Sequence, residues 1–173
     1  MIVPIVIYGA HILRQSAFDI HEEDLPEEIT ENLFDTLKRA EGIGLAAPQI
    51  GLAKRIFVID TTPLADESEA FTPVEKICLN PRILHADDTL SSYNEGCLSI
   101  PGIFRELDRP ERIHVTYQNL AFETVEEELS GLEARIFQHE VDHLDGILFV
   151  DRLSGLQKRL IQGKLNKIKK KRR

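Results

Sequence analysis

The chain has 173 residues, 42% hydrophobic and only 6% aromatic, enough for one sizeable, mainly aliphatic core and too few for a second domain of ordinary size. No apolar run approaches the roughly 20 residues that span a bilayer, and the N-terminus lacks the basic start and cleavage site of a signal peptide, so no membrane association and a cytoplasmic location are expected. The formal net charge of −8 is unevenly spread: residues 158–173 hold nine of the 21 basic residues and no acid, leaving 12 basic against 29 acidic groups elsewhere.

In chain order, Pro26 opens a segment with Ile29, Leu33, Leu37 and Ala40 at helical spacing, ending near Gly42. Short apolar runs then predict strands at residues 55–60 and 77–80, with a solvated loop at residues 66–69 between Pro63 and Pro73. Ile113, Val115 and Tyr117 alternate with His114, Thr116 and Gln118, as in a half-buried strand. The following Asn119, Leu120 and Ala121 offer no glycine for a tight hairpin, so a longer or differently shaped turn is expected. Ser130 with Glu133 reads as a capping box ahead of a helix whose Leu132 and Ile136 form a buried stripe, and Gly146 reads as its stop. There is no internal repeat or linker. The expected class is α+β, with antiparallel sheets packed around a central metal-binding helix, an N-terminal helix and a basic C-terminal helix or tail. Residues 1–157 would form a single catalytic domain and residues 158–173 its basic end.

His139 and His143 lie four residues apart on the predicted helix, so both imidazoles point the same way and can grip one metal ion. Glu140, between them, is placed to handle protons. The same spacing also occurs among solvated or core histidines, so the third ligand decides: a catalytic site needs three protein ligands and one open position. Downstream candidates fail. The histidine due in a metzincin pattern is Phe149, and no Asp or Glu follows Asp151, which removes a thermolysin-like glutamate. The third ligand therefore lies upstream, among Cys97, Cys78, four further histidines and many carboxylates. Cys97 stands out because Gly96 beside it lets backbone approach a ligand closely. Cys78, inside an apolar strand-like run, fits a small buried hydrophobe. Two distant cysteines without an export signal point to reduced thiols.

Gly42-Ile43-Gly44-Leu45-Ala46-Ala47-Pro48-Gln49, then Glu95-Gly96-Cys97-Leu98-Ser99, then Gln138-His139-Glu140-Val141-Asp142-His143-Leu144-Asp145-Gly146 resemble, in that order, the three motifs of peptide deformylases. One departure is the N-terminal loop, where Gly9-Ala10-His11-Ile12 precedes Leu13-Arg14 in place of a proline-rich turn. The resemblance implies removal of the N-formyl group from the N-terminal formyl-methionine of newly synthesised polypeptides, with release of formate. It implies one divalent ion per chain on Cys97, His139 and His143, natively Fe2+, with Zn2+ as another occupant; a thiolate with two imidazoles also suits Ni2+ or Co2+. Glu140 would be general base and acid; the Gln49 side-chain amide and the Leu98 backbone N–H would stabilise the oxyanion. By residue type alone Gln49 reads as a surface polar side chain. Gly44, Ile43, Leu45 and Ile100 would receive the substrate, Ile136 would serve that pocket or the core, and Gln138 and Asp142 would orient the centre. Because such an enzyme meets nascent chains, Lys164, Lys167, Lys169, Lys170, Lys171, Arg172 and Arg173 would contact ribosomal RNA; a solvated, fraying helix end has the same composition. Two other classes compete: a general metallopeptidase cleaving internal peptide bonds, and a non-catalytic metal- or ribosome-binding module with four ligands or none.

Overall fold

The structure is a computed structural model describing residues 1–67 and 72–171. The first long helix, α1 (Pro26–Arg39), starts after Leu25, whose φ of 57° turns the chain into it, and Pro26 brings the fixed φ that suits a first helical position. Ile29, Leu33 and Leu37 form its buried stripe, as their spacing predicts.

Among the described residues seven strands follow: β1 (Gly44–Ala46), β2 (Ile56–Asp60), β3 (Glu75–Ala86), β4 (Leu90–Cys97), β5 (Ile100–Pro110), β6 (Arg112–Gln118) and β7 (Thr124–Ser130). Five make an antiparallel sheet of order β1-β2-β3-β6-β7, while β4 and β5 pair separately as a hairpin. In β6 the apolar positions are buried and their polar neighbours are not, matching the period-2 pattern. Of the loop expected at residues 66–69, the first part belongs to a 3-10 turn (Thr62–Glu67) and residues 68–71 lie outside the described residues. The β6–β7 turn works without glycine: Phe122 takes a left-handed φ of 58°, and Asn119 Oδ1 accepts the backbone N–H groups of Ala121 and Glu123 at 2.9 and 3.0 Å.

The second helix, α2 (Gly131–Leu144), begins where Ser130 placed it, but no capping box forms. Ser130 makes no side-chain cap bond, and the Glu133 side chain, which would complete the box, is drawn to Lys76 on β3 at 2.5 Å, an ammonium that also meets Glu127. The other end is a Schellman stop: Gly146, at φ 73°, donates to His143 O and Ile147 N–H donates to Asp142 O at 2.8 Å. α2 packs against every strand of the large sheet and against β5, which makes it the central helix. The basic C-terminal segment is the third helix, α3 (Gly155–Lys171), so residue 158 falls inside a helix. Its Ile161, Leu165 and Ile168 share a core cluster with Leu13, Ile103, Phe149 and Leu153. Arg172 and Arg173 lie outside the described residues. No helix among the described residues is long and apolar enough to cross a membrane.

Candidate metal centre

The β4–β5 hairpin and α2 meet at three side chains. Cys97 is the last residue of β4, ahead of a two-residue turn made by Leu98 and Ser99, and α2 supplies His139 and His143 one turn apart. One donor atom from each residue lies within 4.8 Å of the others, and Cys97 Sγ is 3.3 Å from His143 Nε2. This is the only such group among the described residues. Cys78, the other thiol, is fully buried between strands, where burial pushes its pKa well up. Phe149, in the position a metzincin gives to histidine, instead stacks its ring on His139 with centroids 6.3 Å apart.

The donors fit a divalent cation. His139 Nδ1 is engaged by Glu95 Oε1 at 2.9 Å, which leaves Nε2 to face the centre. Burial disfavours a proton on both imidazoles. On His143 that effect wins and its pKa falls well below the ordinary value; on His139 it is outweighed by hydrogen bonds to Cys97 and Glu95, which hold its pKa well up. The anionic neighbours that favour a proton there would equally favour a metal ion. Three protein donors leave room for a fourth, exogenous ligand, as a reactive centre requires.

Glu140 is 3% exposed, and its Oε2 has no hydrogen-bond partner among the described residues. Burial pushes its pKa up to about 7, partly opposed by His139. Space for it comes from Gly44: a Cβ there would stand 2.5 Å from Glu140 Oε1 and 2.8 Å from Ile136 Cγ2. Gln49 is no surface residue, being only 1% exposed. Its Oε1 accepts the Ala46 backbone N–H at 2.9 Å, so its Nε2 must turn the other way, where it donates to Ser99 Oγ at 3.2 Å and approaches Cys97 Sγ at 3.7 Å. Leu98, next to Cys97 in the hairpin turn, lines the same cleft.

That cleft has a volume of about 530 Å³, and Ile43, Gly44, Leu98, Leu132 and Ile136 are among its walls. Two expected substrate contacts are corrected. Leu45 is 0% exposed and packs with Leu33, Leu37 and Val58, because neighbours on β1 point to opposite faces and Gly44 takes the cleft side. Ile100 pairs with Cys97 across the turn but is also 0% exposed, packed with Leu13 and Ile103. Ile136 supplies a wall in their place.

A buried charge network went unread in the sequence. Arg109 on β5 donates to Glu95 through Nε and Nη2 at 2.7 and 3.0 Å and to Asp142 through Nη1 at 2.8 Å. Arg152 also donates to Asp142, at 2.6 Å. Asp142 thus reaches the centre through Arg109 and Glu95, whereas Gln138 donates to the Pro110 and Ala134 carbonyls, away from the three donors. On Glu95 burial would raise the pKa, but the bonds from His139 and Arg109 win and hold it well below the usual carboxylate range. Glu95, two residues before Cys97 within the same motif, could have been singled out, although the β4–β5 register shifts between the two residues and no strand alternation links them; burial of an arginine carries no such local signal.

The polypeptide deformylase pattern matches residues 2–159. The chain is 42% identical to a peptide deformylase of Salinibacter ruber, over 97% of this chain and 89% of that protein. It is 44% identical to one of Cytophaga hutchinsonii, over 98% and 92%. The crystal structure of peptide deformylase from Thermus thermophilus superposes with a TM-score of 0.87 at 37% identity, covering 99% of both chains. With the match running almost end to end and enclosing both the hairpin thiol and the helical histidines, the chain belongs to the polypeptide deformylase family.

Proposed function

We infer that this chain removes the N-formyl group from the formyl-methionine that begins a nascent polypeptide, releasing formate and a free amino terminus. The observation that carries the reading is the convergence of the Cys97, His139 and His143 donors beside a buried Glu140 oxygen with no hydrogen-bond partner among the described residues, in a chain of this family. A divalent ion bound by these three residues would supply Lewis acidity and a water whose pKa is lowered to roughly 7. Glu140 takes the proton from the attacking water and later delivers it to the departing amine, for which a carboxyl with a pKa of about 7 is well matched. The Gln49 amide, turned inward by Ala46, and the Leu98 backbone N–H donate to the oxygen that gains charge. Ile43, Leu132, Ile136 and Leu98 receive the methionine side chain, and Gly44 gives Glu140 its space.

Residues 1–157 and the basic segment 158–173 act as one catalytic unit, working in the cytoplasm where nascent chains emerge. The native ion is Fe2+; thiolate with two imidazoles also suits zinc, cobalt and nickel. Lys164, Lys167, Lys169, Lys170 and Lys171 are exposed on α3 and, with Arg172 and Arg173, suit contact with ribosomal RNA. The test is formate release from a formyl-Met peptide by anaerobically purified protein, with metal content measured alongside. We expect about one metal per chain, and a loss of at least 100-fold in kcat for Glu140→Ala with metal retained. Fully metallated protein that releases no formate but cleaves unformylated peptides would favour the metallopeptidase alternative.

A further inference from the structure

Arg135 stands one helical turn before His139 on α2 and faces the same carboxylate. It is 5% exposed. Its Nη1 donates to Glu95 Oε2 at 2.9 Å and to the Leu107 carbonyl at 2.9 Å; its Nη2 donates to the Ser91 carbonyl at 2.6 Å and to Ser91 Oγ at 3.2 Å. The guanidinium carbon also lies 5.9 Å from the centre of the Tyr93 ring. Ser91 belongs to β4 and Leu107 to β5, so one side chain from α2 fastens both strands of the hairpin that ends in Cys97.

Glu95 is thereby saturated. An ionised carboxylate offers about four lone-pair sites: Oε1 receives Arg109 Nη2 and His139 Nδ1, while Oε2 receives Arg109 Nε and Arg135 Nη1. With Arg109 alone the carboxylate could pivot about that bidentate pair; Arg135 removes this freedom from the side opposite His139. A lysine at this position keeps the charge but lacks a planar fork able to reach Glu95, Leu107 and Ser91 together.

We propose that Arg135 is a positioning residue for the metal centre, holding Glu95 so that His139 presents Nε2, and holding the hairpin so that Cys97 meets the helical histidines at a fixed gap. The inference rests on the metal reading given above. Its test uses the full chain, wild type alongside Arg135→Lys and Arg135→Met, each loaded anaerobically with Co2+. Two quantities are read: the visible absorption of the thiolate–cobalt centre and the rate at which a chelator strips the ion, with circular dichroism establishing the fold. Both variants are expected to show altered bands and release at least ten-fold faster than wild type, within the 10–100-fold range typical when a group behind a metal ligand is lost. Should Arg135→Met fail to fold, Arg135→Lys carries the same expectation. Folded variants with wild-type bands and release rates within two-fold would overturn the proposal, as would full rescue by lysine, since charge alone would then suffice. A wild-type chain that takes up no Co2+ would overturn the metal reading itself, and this inference with it.

Discussion

The tightest steric condition around the Glu140 carboxylate is set by a residue with no side chain. A methyl group at Gly44 would sit within 2.5 Å of Glu140 Oε1, so Gly44→Ala must displace that carboxylate or Ile136. We expect a fall of about 100-fold in kcat with metal content preserved, since misplacing a catalytic group by about 1 Å costs that much; steady-state kinetics on a formyl-Met peptide with metal analysis will show it. The neighbours on either side separate in another way. Leu45→Ala should cost about 2–5 kcal/mol in denaturant unfolding and leave KM unchanged, because Leu45 is core. Ile43→Ala should raise KM at a smaller cost in stability, because Ile43 is only partly buried and lines the cleft. At this scale the sequence was legible where chemistry has a period: His139 and His143 announce themselves at i, i+4, and Glu140 lies between them. It was misleading at Leu45, since an apolar residue next to a cleft residue on a strand is the one that faces away. Cys97 could be picked out by Gly96 beside it but fixed as a ligand only by a family resemblance, and Gln49 depended on that resemblance entirely, because their partners come from remote parts of the chain.

At the scale of elements, α1, β2, β6 and both ends of α2 followed from local spacing. The capping box at Ser130 did not form, because Lys76, distant in sequence, competes for Glu133. Such competition is tertiary, and no window of local sequence contains it. The stop at Gly146 was legible, yet its full cost was not: besides its φ of 73°, a Cβ there would lie 2.7 Å from the Arg14 carbonyl oxygen, in backbone that cannot swing aside as a side chain can. Gly146→Ala should therefore lose roughly 1–3 kcal/mol or more, a strained left-handed conformation plus a clash. Urea unfolding with an unchanged m-value will measure it.

For the whole molecule, composition foretold an acidic body with a basic end, and the structure gives that end a helix anchored by Ile161, Leu165 and Ile168. Truncation after Leu156 removes those anchors along with the lysines, so it should lower thermal stability as well as salt-dependent association with ribosomes. Replacing Lys164, Lys167, Lys170 and Lys171 by glutamine, which leaves the anchors intact, isolates the charge. Co-sedimentation at about 50 and 200 mM salt is expected to show binding by the parent at low salt only and little by the variant, as loss of several phosphate contacts dictates. Equal sedimentation of parent and variant would remove these four lysines from any role in docking.

The division of the donors between a hairpin and a helix also has a topological effect. Cys97 closes β4, His139 lies within α2, and the chain between them contains β5, β6 and β7. An ion shared by the two residues ties a large loop, and in the chain-entropy picture such a tie restricts the unfolded ensemble much as a covalent cross-link would, by about 3–4 kcal/mol for a loop of several tens of residues. The three side chains that can hold the ion would then also be a staple of the fold, added to the bonds by which Arg109 and Arg135 already fasten the hairpin to the helix.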